Sequence, residues 1–161
     1  MGVYLGVFIM VKIRRGDIED IDSLVDLRLN LLMEIGNITD DANIEELKKS
    51  SMDYFEKKID NGFLFWVAED NLKIIGISGL VFMEKPPVND NLTGIEGYIM
   101  NIYVVPTYRH KGIATGILKE MILFLKEMGV KRVRLHATEV GRIIYEKLGF
   151  KSKLSEMEMY L

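Results

Sequence analysis

The stretch Asn101-Ile102-Tyr103-Val104-Val105-Pro106-Thr107-Tyr108-Arg109-His110-Lys111-Gly112-Ile113-Ala114-Thr115 decides how this chain is read. A strand rich in β-branched and aromatic residues, Gly97 to Val105, stops at Pro106, which has no N–H to give to a ladder. A basic turn follows, and Gly112 opens onto a long periodic segment. Apolar side chains fall at Ile113, Ala114, Ile117, Leu118, Met121, Ile122, Leu125 and Met128, the spacing of one helical face. Lys119, Glu120, Lys126 and Glu127 take the other side, and Gly129 is placed to end the helix. Its first turn is expected at Lys111 to Thr115. This order aims unpaired backbone N–H groups, the positive end of a helix dipole and the cations Arg109, His110 and Lys111 at one point, a place for phosphate groups. Gly112 lets an anion approach the backbone with no Cβ in the way, and Ala114 keeps the first turn narrow. Taken alone the pattern is short, and an ordinary strand–turn–helix with a solvated basic turn accounts for it as well.

Working outward, Val11 to Arg15 reads as a strand, broken at Gly16-Asp17. Asp17 is placed to cap a helix with apolar positions Ile18, Ile21, Leu24, Val25, Leu32 and Ile35, ending before Gly36. Asn37 to Asp41 is a polar connection, and a second helix is expected over Asn43 to Ile59, with Asn43 and Glu46 at capping-box spacing. Phe63 to Ala68 and Lys73 to Met83 read as a hairpin around Asp70-Asn71, followed by a loop from Glu84 to Gly94. Beyond the central helix come a strand over Arg132 to Ala137, a short helix over Val140 to Leu148 stopped by Gly149, and a last strand near Glu156 to Tyr160. The pattern predicts an α/β (α+β) fold with helices on both faces of a mixed sheet.

With 161 residues and 48% hydrophobic content, the chain is expected to be a single domain over residues 1–161. A formal charge of -3 offers no general attraction to nucleic acid. The absence of cysteine excludes disulfides, a thiolate nucleophile and cysteine metal sites, and His110 and His136 are too few for a histidine-rich metal centre. No metal, no nucleic acid and no membrane partner are expected, and a cytoplasmic location is the default. The apolar run Met1 to Met10 lacks a basic n-region and a cleavage site and falls far short of the ~20 residues that span a bilayer. It reads as an extension from an upstream start, with Met10 as the alternative initiator, or else as a segment that lengthens the first strand or packs on an exposed apolar surface.

A second motif, Tyr145-Glu146-Lys147-Leu148-Gly149-Phe150, lies one helix and one strand after the glycine turn. Together with Arg109-His110-Lys111-Gly112-Ile113-Ala114, which matches an Arg/Gln-x-x-Gly-x-Gly/Ala pattern, it resembles the GNAT superfamily of acetyl-CoA-dependent N-acetyltransferases. The resemblance covers Gly97 to Phe150; before that it lies only in the order of elements. It implies a mostly antiparallel sheet of six to seven strands, with the fourth and fifth splayed around the pantetheine arm of the co-substrate. It also implies contacts with acetyl-CoA from Ile102, Tyr103, Val104, Arg109, His110, Lys111, Gly112, Ile113, Ala114, Thr115, Thr138 and Gly141.

In that family a bulge in strand four turns a backbone N–H toward the acetyl carbonyl, and counting back from Arg109 gives Ile102 that role. Val104 would pair with the pantetheine amides like an added strand. Tyr145 would give a proton to the departing sulfur, because a phenol of pKa ~10 is neutral at pH 7; a packed aromatic on an amphipathic helix is the other reading. Thr138 stands where many members have Asn, and either bonds the co-substrate or caps the following helix. Tyr98 holds the position of the family's strand-four glutamate, and Glu96 is the one nearby carboxylate, as base or as a solvated charge at the strand edge. His136 reads as structural, and Asn101 as facing the acceptor or satisfying the bulge.

The family builds its acceptor pocket from the segments matching Leu32 to Ile44 and Lys151 to Met157. Glu34, Asp40, Asp41, Glu45 and Glu46 would suit a cationic amine, although helix starts collect carboxylates anyway. A small-molecule amine or a peptide amino group is the expected acceptor, attacking directly in a ternary complex. The alternative is a non-catalytic acyl-CoA-binding or sensing module on the same fold. A mononucleotide phosphate loop is disfavoured, since Gly-x-x-x-x-Gly-Lys-Ser/Thr is missing. A homodimer is left open.

Overall fold

A computed structural model describes residues 11–39, 43–153 and 157–161. The elements in order are β1 (Lys12–Arg15), α1 (Ile21–Glu34), α2 (Ile44–Lys58), β2 (Phe63–Asp70), β3 (Lys73–Glu84), β4 (Ile95–Val104), α3 (Ile113–Glu127), β5 (Arg132–Leu135) and α4 (Glu139–Lys147). The strands form one sheet in the order β1-β2-β3-β4-β5. Every pairing is antiparallel except that of β4 with β5, which is parallel.

The expected six to seven strands are five among the described residues. Residues 157–161 lie in no strand, and 154–156, like residues 1–10, fall outside the described residues. Met157 and Met159 alternate as a strand would, yet both are exposed, and alternation without a neighbouring strand makes no ladder.

Period-two alternation along β2 divides the core. Phe63, Phe65 and Val67 face α1 and α2, while Trp66 and Ala68 face α3. Ile117, Leu118, Met121 and Leu125 form the fully buried stripe of α3. Burying each of these side chains is worth roughly 1.5–3 kcal/mol. The β2–β3 hairpin closes through Asn71 and Leu72, with φ of 48° and 65°, as a two-residue turn with both central residues left-handed requires. Asp17 accepts a hydrogen bond from the Glu19 N–H at 2.9 Å and starts a short 3₁₀ turn that leads into α1. The capping box expected at Asn43 and Glu46 does not form: ψ of Asn43 is 9°, outside the extended region from which a capping side chain reaches the next turn.

Candidate active site

In β4 the ladder loses step with β3. The pairs Ile77↔Tyr103 and Gly79↔Met100 leave Ser78 opposite both Asn101 and Ile102, one residue against two. This is a β-bulge, which takes one residue out of the ladder and re-aims its backbone. Asn101 absorbs it with φ of 54°, a left-handed conformation that asparagine tolerates better than most residues. Ser78 is fully buried opposite, its hydroxyl 3.4 Å from the Met100 carbonyl oxygen. Ile102 thus lies in the bulge.

The same strand loses its other neighbour at this point. Pairing with β5 runs from Glu96↔Arg132 to Ile99↔Leu135, where β5 ends, while β4 continues to Val104. From Met100 onward, β4 has no strand beside it on that side among the described residues. The expected splay of the fourth and fifth strands takes this form.

The turn after β4 is held open. His110 and Gly112 have φ of 62° and 79°, and Gly112 is the N-cap of α3. A Cβ built on Gly112 meets nothing within 4 Å, so the space in front of the helix start is clear. The first N–H groups of α3 have no carbonyl partner within the helix and point into that space. Backbone donors around an open glycine are what a diphosphate needs.

The side chains of the turn are arranged differently from the sequence expectation. Arg109 donates through Nε to the Val104 carbonyl at 2.8 Å and through both terminal nitrogens to Glu34, at 2.8 and 2.7 Å. Its guanidinium also stands 5.3 Å from the centre of the Tyr103 ring. Lys111 Nζ reaches back to the Thr107 carbonyl at 3.2 Å and sits over Tyr108, whose hydroxyl donates to Asp70 at 2.7 Å. Arg109 and Lys111 therefore brace the turn. The cause is Glu34, brought from the end of α1 to offer a two-point carboxylate that fits the guanidinium fork.

Thr138 closes α4, its Oγ1 accepting from the Gly141 N–H at 3.2 Å, so of its two readings the cap is the one formed. Tyr145 is buried, stands edge-on to Phe150 with ring centres 6.1 Å apart, and has its phenol pKa pushed up by burial. Its proton is therefore retained at neutral pH. A Cβ on Gly141 would come within 2.8 Å of the Tyr145 hydroxyl oxygen, so glycine at this position makes room for the phenol. A cavity of about 640 Å³ runs along β5, and Tyr145, Phe150 and His136 all border it.

Glu96 is neither solvated nor at a free edge. It is 2% exposed and accepts from Lys85 at 3.1 Å, Arg132 at 2.9 Å and Arg134 at 2.8 Å. Burial alone would raise its pKa, but the three cationic donors outweigh that and hold it below the usual carboxylate range. A carboxylate so fully engaged is a poor proton acceptor, which corrects the expectation that it serves as base. The reason is register: β5 runs parallel beside it and places Arg132 and Arg134 on its own face. Two residues on, the Tyr98 hydroxyl lies 2.7 Å from His136 Nδ1. The sequence marked each residue of this pair, but 38 positions separate them and only the parallel register joins them.

Only part of the expected acidic cluster near the acceptor falls within the described residues. Glu34 is bound to Arg109, Glu45 and Glu46 occupy the first turn of α2, and Asp40 and Asp41 lie outside the described residues. Among the described residues no three His, Cys, Asp or Glu side chains gather to hold a metal ion, and no helix is long and apolar enough to cross a membrane.

A family model, the acetyltransferase (GNAT) domain, matches residues 61–152, more than half of the chain. The chain belongs to this acyltransferase family. In structure it is similar to a predicted acetyltransferase from Clostridium acetobutylicum solved with acetyl-CoA, at a TM-score of 0.82 and 35% identity over 94% of this chain and 96% of that one. In sequence it is 27% identical to glucosamine 6-phosphate N-acetyltransferase 1 of Dictyostelium discoideum over 151 residues, 94% of this chain and 91% of that protein. It is also 24% identical to human N-acetyltransferase 8 over 95 residues, 57% of this chain but only 40% of the human protein's length.

Proposed function

We propose that the protein transfers an acetyl group from acetyl-CoA to the primary amine of a small molecule, by direct attack within a ternary complex. The observation that carries this reading is the second half of β4: bulged at Asn101 and Ile102, without a neighbouring strand on the β5 side among the described residues, and running straight into the open Gly112 turn. Such a strand offers amides to a chain-like ligand along its free edge and backbone N–H groups to the ligand's phosphates at its end.

Each residue then has one task. The first N–H groups of α3, at Ile113, Ala114 and Thr115, together with Gly112, hold the diphosphate. Val104 pairs with the amides of the arm. The Ile102 N–H donates to the acetyl oxygen as negative charge grows on it. Tyr145, kept protonated by burial, gives its proton to the leaving sulfur. Arg109 acts from behind, fixing the turn between Val104 and Glu34.

Calorimetry tests the ligand: coenzyme A should bind, and ATP much more weakly. The reverse ranking would remove the assignment. An acetyl-transfer screen with thiol detection tests turnover, with glucosamine 6-phosphate, polyamines, amino acids and peptides as acceptors. Glucosamine 6-phosphate goes first, because the relative matched over most of its length bears that name. Binding of coenzyme A with silence across the panel would favour a non-catalytic acyl-CoA-binding module.

A further inference from the structure

An acceptor amine is an ammonium ion at neutral pH and must lose a proton before it can attack. Glu96 is committed to three cations and cannot take it. On the same face of the sheet, two residues nearer the bulge, stands the Tyr98–His136 pair. Along β4, Glu96 and Tyr98 share their parity with Met100, which packs in the core layer under α1 and α2, whereas Ile99 packs under α3. Tyr145 belongs to the α3 layer. The pair and Tyr145 therefore lie on opposite faces of the sheet, on either side of the place where β4 and β5 part. A nucleophile entering from one face and a sulfur leaving toward the other need proton acceptor and proton donor divided in this way.

Resting on the acetyl-transfer reading above, we propose that Tyr98 and His136 form the proton relay that deprotonates the acceptor. The ammonium passes a proton to the Tyr98 oxygen as the Tyr98 hydroxyl proton moves to His136 Nδ1, leaving a neutral amine and an imidazolium. The amine then forms the C–N bond, the C–S bond breaks and the thiolate takes the Tyr145 proton. The second proton of the attacking nitrogen restores the Tyr145 phenol, and the exposed His136 imidazolium releases its proton to solvent. Histidine suits the terminal position because one ring nitrogen accepts a proton while the other keeps its own. Charged neighbours on this face include Arg134 and Glu96, and Lys85 and Arg132 share the same carboxylate.

The test has two arms. In the unliganded protein, ¹⁵N NMR of the His136 ring should show the Nε2–H tautomer, with Nδ1 bare and accepting from Tyr98. An Nδ1–H tautomer would leave the relay no terminus and would overturn it. In turnover with glucosamine 6-phosphate, or with whichever amine the screen selects, Tyr98→Phe and His136→Gln should each lower kcat about 100-fold at pH 6.5. With an acceptor whose ammonium pKa lies about a unit or more below 9.5, the loss should shrink to within about threefold at pH 9.5, where the amine deprotonates in solution. Coenzyme A affinity should stay unchanged. A loss equal at both pH values, or no loss, overturns the relay while wild-type turnover preserves the acetyl-transfer reading. Wild-type protein that acetylates no amine overturns both.

Discussion

Tyr145 and Glu96 are both buried ionisable groups, and their surroundings drive them in opposite directions. Burial in the apolar layer under α3 favours the neutral phenol of Tyr145. Tyr145→Phe is expected to lower kcat about 100-fold while leaving coenzyme A affinity nearly intact, as separate calorimetry and turnover assays would reveal. Unchanged turnover would take the acid role away. Around Glu96 three cations converge, and the charged form is favoured. Glu96→Gln would leave Lys85, Arg132 and Arg134 facing one another, at a cost of about 3 kcal/mol in urea denaturation. The pH dependence has a definite sign. Because the folded-state pKa is lowered, this stabilisation is complete above the unfolded carboxylate's value, about 4.3, and is lost as pH falls below it toward the folded value. In Glu96→Gln that acid-limb loss should be smaller, and an unaltered limb would count against the account.

At the level of elements, α3 is where sequence and structure agree most closely, because one apolar stripe sets both its length and its buried face. Its bounds, Ile113–Glu127, fall within two residues of the periodic pattern. Leu118→Ala, in the middle of that stripe, should cost about 3 kcal/mol of stability with kinetic constants otherwise preserved. Gly112→Ala acts at the other end. A side chain at φ of 79° costs about 1 kcal/mol, and the added methyl stands in the clear space before the helix. Coenzyme A affinity should fall at least tenfold, well beyond what that stability loss alone accounts for; equal affinity would show that the ligand does not approach there. The elements that could not be read correctly were those whose partners are distant. Residues 157–161 alternate like a strand but join no ladder among the described residues, and β5 was legible as a strand without any sign that Arg132 and Arg134 would close over Glu96.

For the whole molecule, the order of elements and the two motifs carried the fold, since both rest on local spacing. The roles of charged side chains were not legible, because they depend on contacts between residues far apart in the chain. Arg109 is the plainest example. Within its motif it reads as a charge for phosphate, yet its guanidinium belongs to Glu34, 75 positions earlier. His136 and Tyr98 make the same point for the proposed relay.

The Glu34–Arg109 clasp joins the end of α1, beside the segment that the family resemblance gives to the acceptor, to the turn before α3. A diphosphate settling on that turn would pull on the floor of the other compartment, so the two guests should sense each other's arrival. Thermodynamic reciprocity then requires that coenzyme A alter amine affinity by the same factor that the amine alters coenzyme A affinity. Titrating each with and without the other would measure that factor, and Glu34→Gln should bring it close to one. If the substitution leaves the factor unaltered, the clasp transmits nothing between them.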